Sequence, residues 1–345
     1  MSRSLTSIDV RQDHLHNWTS LDTEEVQSEA YQKLLANVHG PGVLSKNKYR
    51  TEPYMKIADL EKHRKCLRCL QRKKEMKGKK YCAYHLDPVC VQDDKGEEYH
   101  ACCHRLTPCQ FSTWHKWEQI TPEFEDRHAS FIETPGYDAA CMKRKAVVID
   151  CEMVGMSGSF GELARLCAVD YLTGEILVDC FVDPVGQVLD YRTRYSGVTA
   201  KKIAEAKNNG NCLPNWSSAR DALLKFVDTK TIIVGSGLNS DLEVLRLVHT
   251  SMVDSSLVSW QKVGKHLGIK TLCKEMLDLN IQQGKDGHDP LEDCIAVREV
   301  VLWMTYLGKS KFDEWVVFAK QREEEECEKQ RQHTLNQCIQ KGHDI

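Results

Sequence analysis

Ala146-Val147-Val148-Ile149-Asp150-Cys151-Glu152 is the stretch on which the fold turns. A short continuous apolar run is what a strand buried on both faces requires. The two acids that end it lie two residues apart, so strand alternation points both carboxylates to the same side. Adjacent acids repel. Such a pair persists where a divalent cation neutralises it or where the edge is fully solvated, and the apolar run in front argues against solvation.

Downstream, Leu163 to Asp170 and Glu175 to Val182 read as two strands joined like a hairpin at Thr173-Gly174, and Ile232-Ile233-Val234 reads as another buried strand. The order from Ala146 to about Gly308 is strand, strand, strand, helix, strand, helix, helix, helix. A hairpin followed by strand and helix alternation fits an α/β domain, residues 145–309, built on a mixed five-stranded sheet with helices on both faces. Behind Ile232–Gly235, the stripe Leu238, Leu242, Leu245 and Val248 sets a helix with Asp241 in its first turn. Helix starts at a sheet edge are where α/β folds place ligands.

His288-Asp289-Pro290-Leu291-Glu292-Asp293 combines an N-cap Asp, Pro at the first helical position and Glu at the third, so a helix starts at Pro290. Its core stripe of Leu291, Cys294, Val297, Val301 and Met304 leaves His288 in the preceding loop and Asp293 on the first turn. Four carboxylates (Asp150, Glu152, Asp241 and Asp293) supply hard oxygen ligands suited to two Mg²⁺ or Mn²⁺ ions, the set that two-metal phosphodiester hydrolysis needs. His288, near neutral pKa, is the natural base for the attacking water. Any one of these acids alone would pass for a surface or capping residue; Asp293 by itself reads as helix-dipole compensation.

The stretch Val148 to Gly155 resembles the first motif of the DEDDh exonuclease superfamily, specifically its eukaryotic RNA-exonuclease branch. Glu162-Leu163-Ala164-Arg165, Asp190-Tyr191-Arg192-Thr193 with Ser196-Gly197-Val198-Thr199, Asp254-Ser255-Ser256, Leu272-Cys273 and the His288 to Asp293 block follow in that branch's order and spacing, over residues 146–308. The resemblance implies a ribonuclease-H-like fold, two divalent ions on the four acids, and His288 as general base at the 3′ end of a single strand, with 3′→5′ release of nucleoside monophosphates. It also implies that Met153 borders the pocket for the terminal nucleotide. Where the family often has His, this chain has Ser236, which leaves the metal set intact and alters the substrate contacts there.

Residues 59–120 change composition to Cys, His, Lys and Arg, with few of the periodic aliphatics that build a core. Cys66-x2-Cys69, Cys82-x2-His85, the adjacent Cys102 and Cys103, then Cys109 and His115 give eight soft ligands, enough for two tetrahedral structural zinc ions. Each of the first two pairs has the spacing that lets both side chains reach one ion. Sequential and cross-braced pairings of the remainder both fit, and His100 or His104 could stand in for His115. The pattern resembles cysteine- and histidine-rich (CHORD-like) modules, and RNA exonucleases of this branch carry a similar cluster ahead of the catalytic domain. An open zinc site for hydrolysis is disfavoured by eight ligands, which close two sites. Lys62 to Lys80 interleaves the cluster with basic residues that suit a phosphate backbone, a nuclear-import signal or a solvated loop equally well.

The remaining segments carry no chemistry. Residues 1–58 are polar, with one helix following Asp22 and Glu25 and closed by Gly40-Pro41-Gly42; residues 121–144 read as a linker; residues 310–345 read as a charged helix or tail. With 345 residues there is room for one full α/β domain and smaller modules. Met1–Val10 has no secretory core and no stretch approaches a membrane span, so a soluble intracellular chain is expected, leaning to the nucleus. In a reducing compartment the 16 cysteines form no disulfide framework. The formal charge of −3 leaves nucleic-acid affinity to a local patch or to bridging metal ions. The expected partner is single-stranded RNA, with DNA open because metal-site motifs do not read the 2′-hydroxyl. A protein partner on the zinc module or N-terminal helix, with the chain as a scaffold, is the competing reading; a scaffold has no need of the five-residue set.

Overall fold

The structure, a computed structural model, describes residues 19–53, 57–69, 71–76, 81–87, 90–92, 98–156, 161–284 and 287–342. Met1–Val10 and the lysines from Lys77 to Lys80 lie outside them.

Five principal strands build the central sheet: β1 (Ala146–Met156), β2 (Gly161–Asp170), β3 (Ile176–Val182), β4 (Ile232–Gly235) and β5 (Met252–Asp254). Their order is β3-β2-β1-β4-β5, with β1, β2 and β3 antiparallel and β1, β4 and β5 parallel. Two short pieces, Val188–Asp190 against β1 and Cys212–Leu213 against β3, enlarge the expected five strands to seven. Strands of two or three residues are too short to show a period, which is why neither these nor β5 is placed by the pattern. The β2–β3 turn is the hairpin expected at Thr173-Gly174. Gly174 sits at φ +76°, where a side chain would be strained, and the Asp170 carboxylate accepts from Leu172 N and Thr173 N.

Alternation along β1 divides the interior. Ala146 and Val148 join one buried cluster; Val147, Ile149 and Cys151 join another on the opposite face. Helices α1 (Trp216–Leu224) and α2 (Asn239–Leu245) cover the second cluster through Ala219, Leu223, Leu242 and Leu245, while α3 (Ile269–Leu277) and α4 (Pro290–Leu302) cover the first. β1 runs past its parallel neighbour: register with β4 ends at Val148↔Val234. Asp150 therefore lies just beyond the carboxyl edge of the parallel half, in mid-strand rather than at the strand's end, and a register shift follows Glu152.

The flanking segments are folded onto this domain. Leu21, Ala30 and Leu34 enter one cluster and Leu44 and Tyr49 the other; Phe312 and Ala319 of the C-terminal helix Lys309–Gly342 also pack inside. Buried Arg298 donates to Tyr171 O at 2.8 Å and Thr19 O at 3.0 Å, tying the N-terminal segment to α4. The N-cap of the first helix is Thr23, one residue beyond Asp22, accepting from Val26 N at 3.2 Å. Gly40-Pro41-Gly42 does not merely end that helix; it opens a second, Pro41–Lys46, with Pro at the first position, where the missing N–H is harmless. The same device starts the helix Pro122–Ala129 inside the expected linker, and Ile132–Glu133 then pairs with Leu247–Val248. Among the described residues no helix is long and apolar enough to cross a membrane.

Candidate active site and Cys/His clusters

Three separated stretches converge beyond the carboxyl edge of β1 and β4. Asp150 and Glu152 come from β1. Asp241, in the first turn of α2, accepts from Cys151 N at 2.8 Å, which ties α2 to the strand between the two acids. Asp293, in the first turn of α4, follows the N-cap Asp289, whose carboxylate accepts from Leu291 N at 3.1 Å. Ligand atoms of Glu152, His288 and Asp293 all lie within 4.8 Å of one another, and His288 Nδ1 is 3.6 Å from Asp293 Oδ2.

Glu152, Asp241 and Asp293 are buried. Burial first, then Asp241, Asp293 and Glu152 as like charges, raises the Asp150 carboxyl well above the usual range. Glu152 is pushed up to about 9 by burial and by Asp293 and Asp241; Asp241 and Asp293 rise to about 7, with burial the main cause in each. Four acids that penalise one another's ionisation form an oxygen donor set that a divalent cation fits, because the cation reverses the penalty. His288 goes the other way: burial and the nearby Lys270 lower it, so the ring is neutral at pH 7.

Several supporting residues have tasks that no local pattern assigns, although Arg165 and Asp254 fall within the stretches that carry the resemblance. Arg165, opposite Glu152 in the β1–β2 register, reaches Asp179 at 2.9 Å and Asp289 at 3.1 Å, so one guanidinium holds the β3 side and the N-cap beside His288. Gln282 Nε2 donates to both Asp293 oxygens at 3.0 Å. Asp254 is fully buried yet satisfied: Leu238 N donates at 2.8 Å and Ser256 N at 2.8 Å, joined by the Tyr49 hydroxyl, while His39 Nε2 accepts from Asp254 N. Asp254 thus fixes the entry to α2, with two partners from the N-terminal segment. Gly287, at φ +87°, has no room for a Cβ, which would fall 2.2 Å from Gly197 N; this close approach lets His288 N donate to Tyr195 O at 2.7 Å. Met153 is half-buried at the register shift, and Ser236 is half-buried at the end of β4. A cavity of about 600 Å³ opens beside the site, lined by Arg165, Lys202, Asn209, Gln283, His288 and Asp289 among others.

The eight Cys/His ligands gather into two groups of four, each with its ligand atoms within 4.8 Å: Cys66, Cys69, Cys82 and His115, and His85, Cys102, Cys103 and Cys109. Separations are 3.6 Å for Cys66 to Cys82, 3.5 Å for Cys69 to His115 Nδ1, 3.3 Å for Cys103 to His85 Nδ1 and 3.8 Å for Cys102 to Cys109. Bonds of about 2.3 Å to sulfur and 2.0 Å to nitrogen give tetrahedral edges of roughly 3.5–3.8 Å, so zinc fits both groups. In chain order the second group is nested whole between Cys82 and His115 of the first, and the expectation that Cys82 and His85 reach one ion is corrected. Cys82–Tyr84 is a strand, and residues three apart at a strand end face opposite sides. His100 and His104 stand outside the groups: His100 stacks on His85 with centroids 3.6 Å apart, and His104 stacks on Tyr99.

A mixed sheet in the order β3-β2-β1-β4-β5, helices on both faces and acids at the carboxyl edge define a ribonuclease-H-like nuclease fold. Residues 147–301 match the family model described as Exonuclease, and this part of the chain is an exonuclease domain, a hydrolase of the DEDD type. Among curated relatives, RNA exonuclease 3 of Candida albicans is 31% identical over 230 residues, covering 63% of this chain and 54% of that protein. RNA exonuclease 3 of Saccharomyces cerevisiae is 28% identical over 305 residues, covering 84% and 72%. The chain thus spans about half the length of the Candida relative. Among solved structures, the Saccharomyces cerevisiae PAN2 pseudoubiquitin-hydrolase-RNase module superposes with a TM-score of 0.46 at 23% identity, covering 54% of this chain and 32% of that one.

Proposed function

We propose that the chain is a 3′→5′ exoribonuclease that hydrolyses the terminal phosphodiester of single-stranded RNA and releases nucleoside 5′-monophosphates, acting in the nucleus. The observation that carries this reading is the convergence of Glu152, His288 and Asp293 within 4.8 Å, with Asp150 raised by the charges of the other three acids and Asp241 close enough to raise both Asp150 and Glu152. RNA is favoured because the curated relatives are named RNA exonucleases.

Asp150, Glu152, Asp241 and Asp293 would hold two Mg²⁺ or Mn²⁺ ions, which supply charge stabilisation for the attacking and leaving oxygens of an in-line displacement. Each residue then has a defined task. His288, neutral at pH 7, takes the proton of the attacking water on a ring nitrogen. The bond from His288 N to Tyr195 O sets the height of its loop over the acids, and the Arg165–Asp289 pair sets its direction. Met153 and Ser236 border the terminal nucleotide. The cavity beside His288, with Lys202 and Asn209 on its wall, admits the rest of the strand end. The two Cys/His groups hold structural zinc ions and shape the module ahead of the domain.

Degradation of a 5′-labelled single-stranded RNA and its DNA counterpart in Mg²⁺ or Mn²⁺ tests the reading with wild type, Asp150→Ala and His288→Ala. A ladder shortening from the 3′ end, absent in both variants and faster on RNA, is the expected result. Well-folded wild type that shortens neither strand would overturn it in favour of a scaffold.

A further inference from the structure

The Cys/His module carries a face that the zinc requirement does not explain. Arg68 lies inside the first knuckle, between ligands Cys66 and Cys69, and Trp114 directly precedes ligand His115. The Arg68 guanidinium sits 4.2 Å over the Trp114 ring and 5.3 Å over the Tyr84 ring, and its Nη1 donates to Ser112 Oγ at 3.1 Å. Ser112 Oγ also accepts from Trp114 N. Tyr84, Arg68 and Trp114 therefore form a stack whose two outer members are pinned through the first ligand group. The strands Cys82–Tyr84 and Gln110–Ser112 pair so that Tyr84 and Ser112 share a face, while Phe111, opposite Ala83, points to the other.

Trp114 is 57% exposed, costly for so large a ring unless something covers it. The charge of the segment that carries Arg68 selects the cover. Between Lys62 and Lys80 there are ten Lys and Arg against one Glu, in a chain whose net charge is −3. Among the described residues no carboxylate lies against Arg68. A planar cation on an aromatic ring, in a segment of basic sequence, suits bases that stack and phosphates that pair; an apolar protein helix would find too much charge.

We propose that Tyr84, Arg68 and Trp114 form a stacking platform for single-stranded nucleic acid, which holds a strand whose 3′ end is in the carboxylate site. This rests on the reading of the domain as a nuclease acting on single strands, so the test separates binding from cleavage. Equilibrium binding of a fluorescent oligo(U) of about 20 nucleotides is measured with the whole 345-residue chain made inactive by Asp293→Asn, alone and with further substitutions. Trp114→Ala should weaken binding about tenfold, Arg68→Lys several-fold because charge is kept and planarity lost, and Phe111→Ala should have no effect. In the active background, cleavage of a trinucleotide, with little chain beyond the scissile bond, should be unchanged by the first two. Zinc content is measured for each variant; should Trp114→Ala lose metal, the decision passes to Arg68→Lys. Binding equal to the parent in Arg68→Lys and in metal-replete Trp114→Ala overturns the platform and leaves the face to a protein partner. Loss of oligo(U) binding in a chain that cleaves nothing upholds the platform and removes the nuclease reading.

Discussion

The sheet domain and the Cys/His module solve the stability problem in opposite ways. The domain buries two aliphatic clusters, one on each face of β1, and within them hides acids that repel each other. Between Asp59 and Ile120 the buried side chains among the described residues are Leu60, Cys66, Cys82 and Glu118. One region has cohesion to spare and places unfavourable charge at its edge; the other has too little apolar surface to order its loops. A cation should therefore be needed for chemistry in the first and for shape in the second.

Stripping zinc is the largest expected effect. With binding of about 10–16 kcal/mol per structural ion, chelation or Cys103→Ser should unfold the module, read as rapid proteolysis between Lys62 and Lys116, while the sheet domain keeps its melting transition. Joint melting of both regions would break the comparison. Next is Asp150→Asn. It should cut strand cleavage by about a thousandfold or more, several kcal/mol of transition-state stabilisation, yet raise the melting temperature in metal-free buffer by about 2–4 °C, because one of four repelling carboxylates is gone. Opposite signs in activity and stability are what a site built against the fold requires; loss of both would mean that Asp150 is a structural acid.

His288→Ala should cost about 10²–10⁴ in rate with little change in melting, and Gly287→Ala should cost a comparable part of that by pushing the same loop off Gly197. A smaller effect comes from histidines buried as neutral rings where module, connector and domain meet. His128 is held down to about 3 by burial and then by Arg50 and Arg127, and its Nδ1 accepts from Arg50 Nη2 at 2.9 Å. A folded pKa below the unfolded value near 6.5 means the unfolded chain takes up the proton first. Stability is complete above pH 6.5 and declines by about 1.4 kcal/mol per unit as pH falls from there toward 3. His128→Gln should flatten that slope in urea melts between pH 7 and 5; an unaltered slope would assign acid sensitivity to His39 and His249, which burial also lowers.

Legibility followed chain distance. Asp150 and Glu152 were readable because strand alternation is a local rule, and Asp289, Pro290 and Asp293 because capping chemistry spans four residues. The tasks of Arg165, Gln282, Asp254 and Tyr49 were not, although Arg165 and Asp254 stand in motifs that carry the resemblance, since a polar side chain acquires its task from a partner that chain order keeps apart, 11 residues away for Gln282 and 205 for Tyr49. Gly40-Pro41-Gly42 reads as a stop because Gly and Pro break helices, yet Pro at a first position starts one. The eight Cys and His residues were visible by type, but their division was not: it depended on Cys82–Tyr84 being a strand, which sends Cys82 and His85 to different groups.

By itself the sequence determined the sheet's central strands, the local placement of the four acids and of His288, and the Cys/His-rich, aliphatic-poor character of residues 59–120, because periodicity, capping and ligand spacing act within a few residues. Only the tertiary structure decided that the N-terminal segment closes over Asp254, that Arg165 bridges two strands and the loop before Pro290, and that one Cys/His group is nested within the other. Those outcomes depend on which surfaces meet, and burial energy, unlike backbone propensity, is shared between residues that chain order keeps apart.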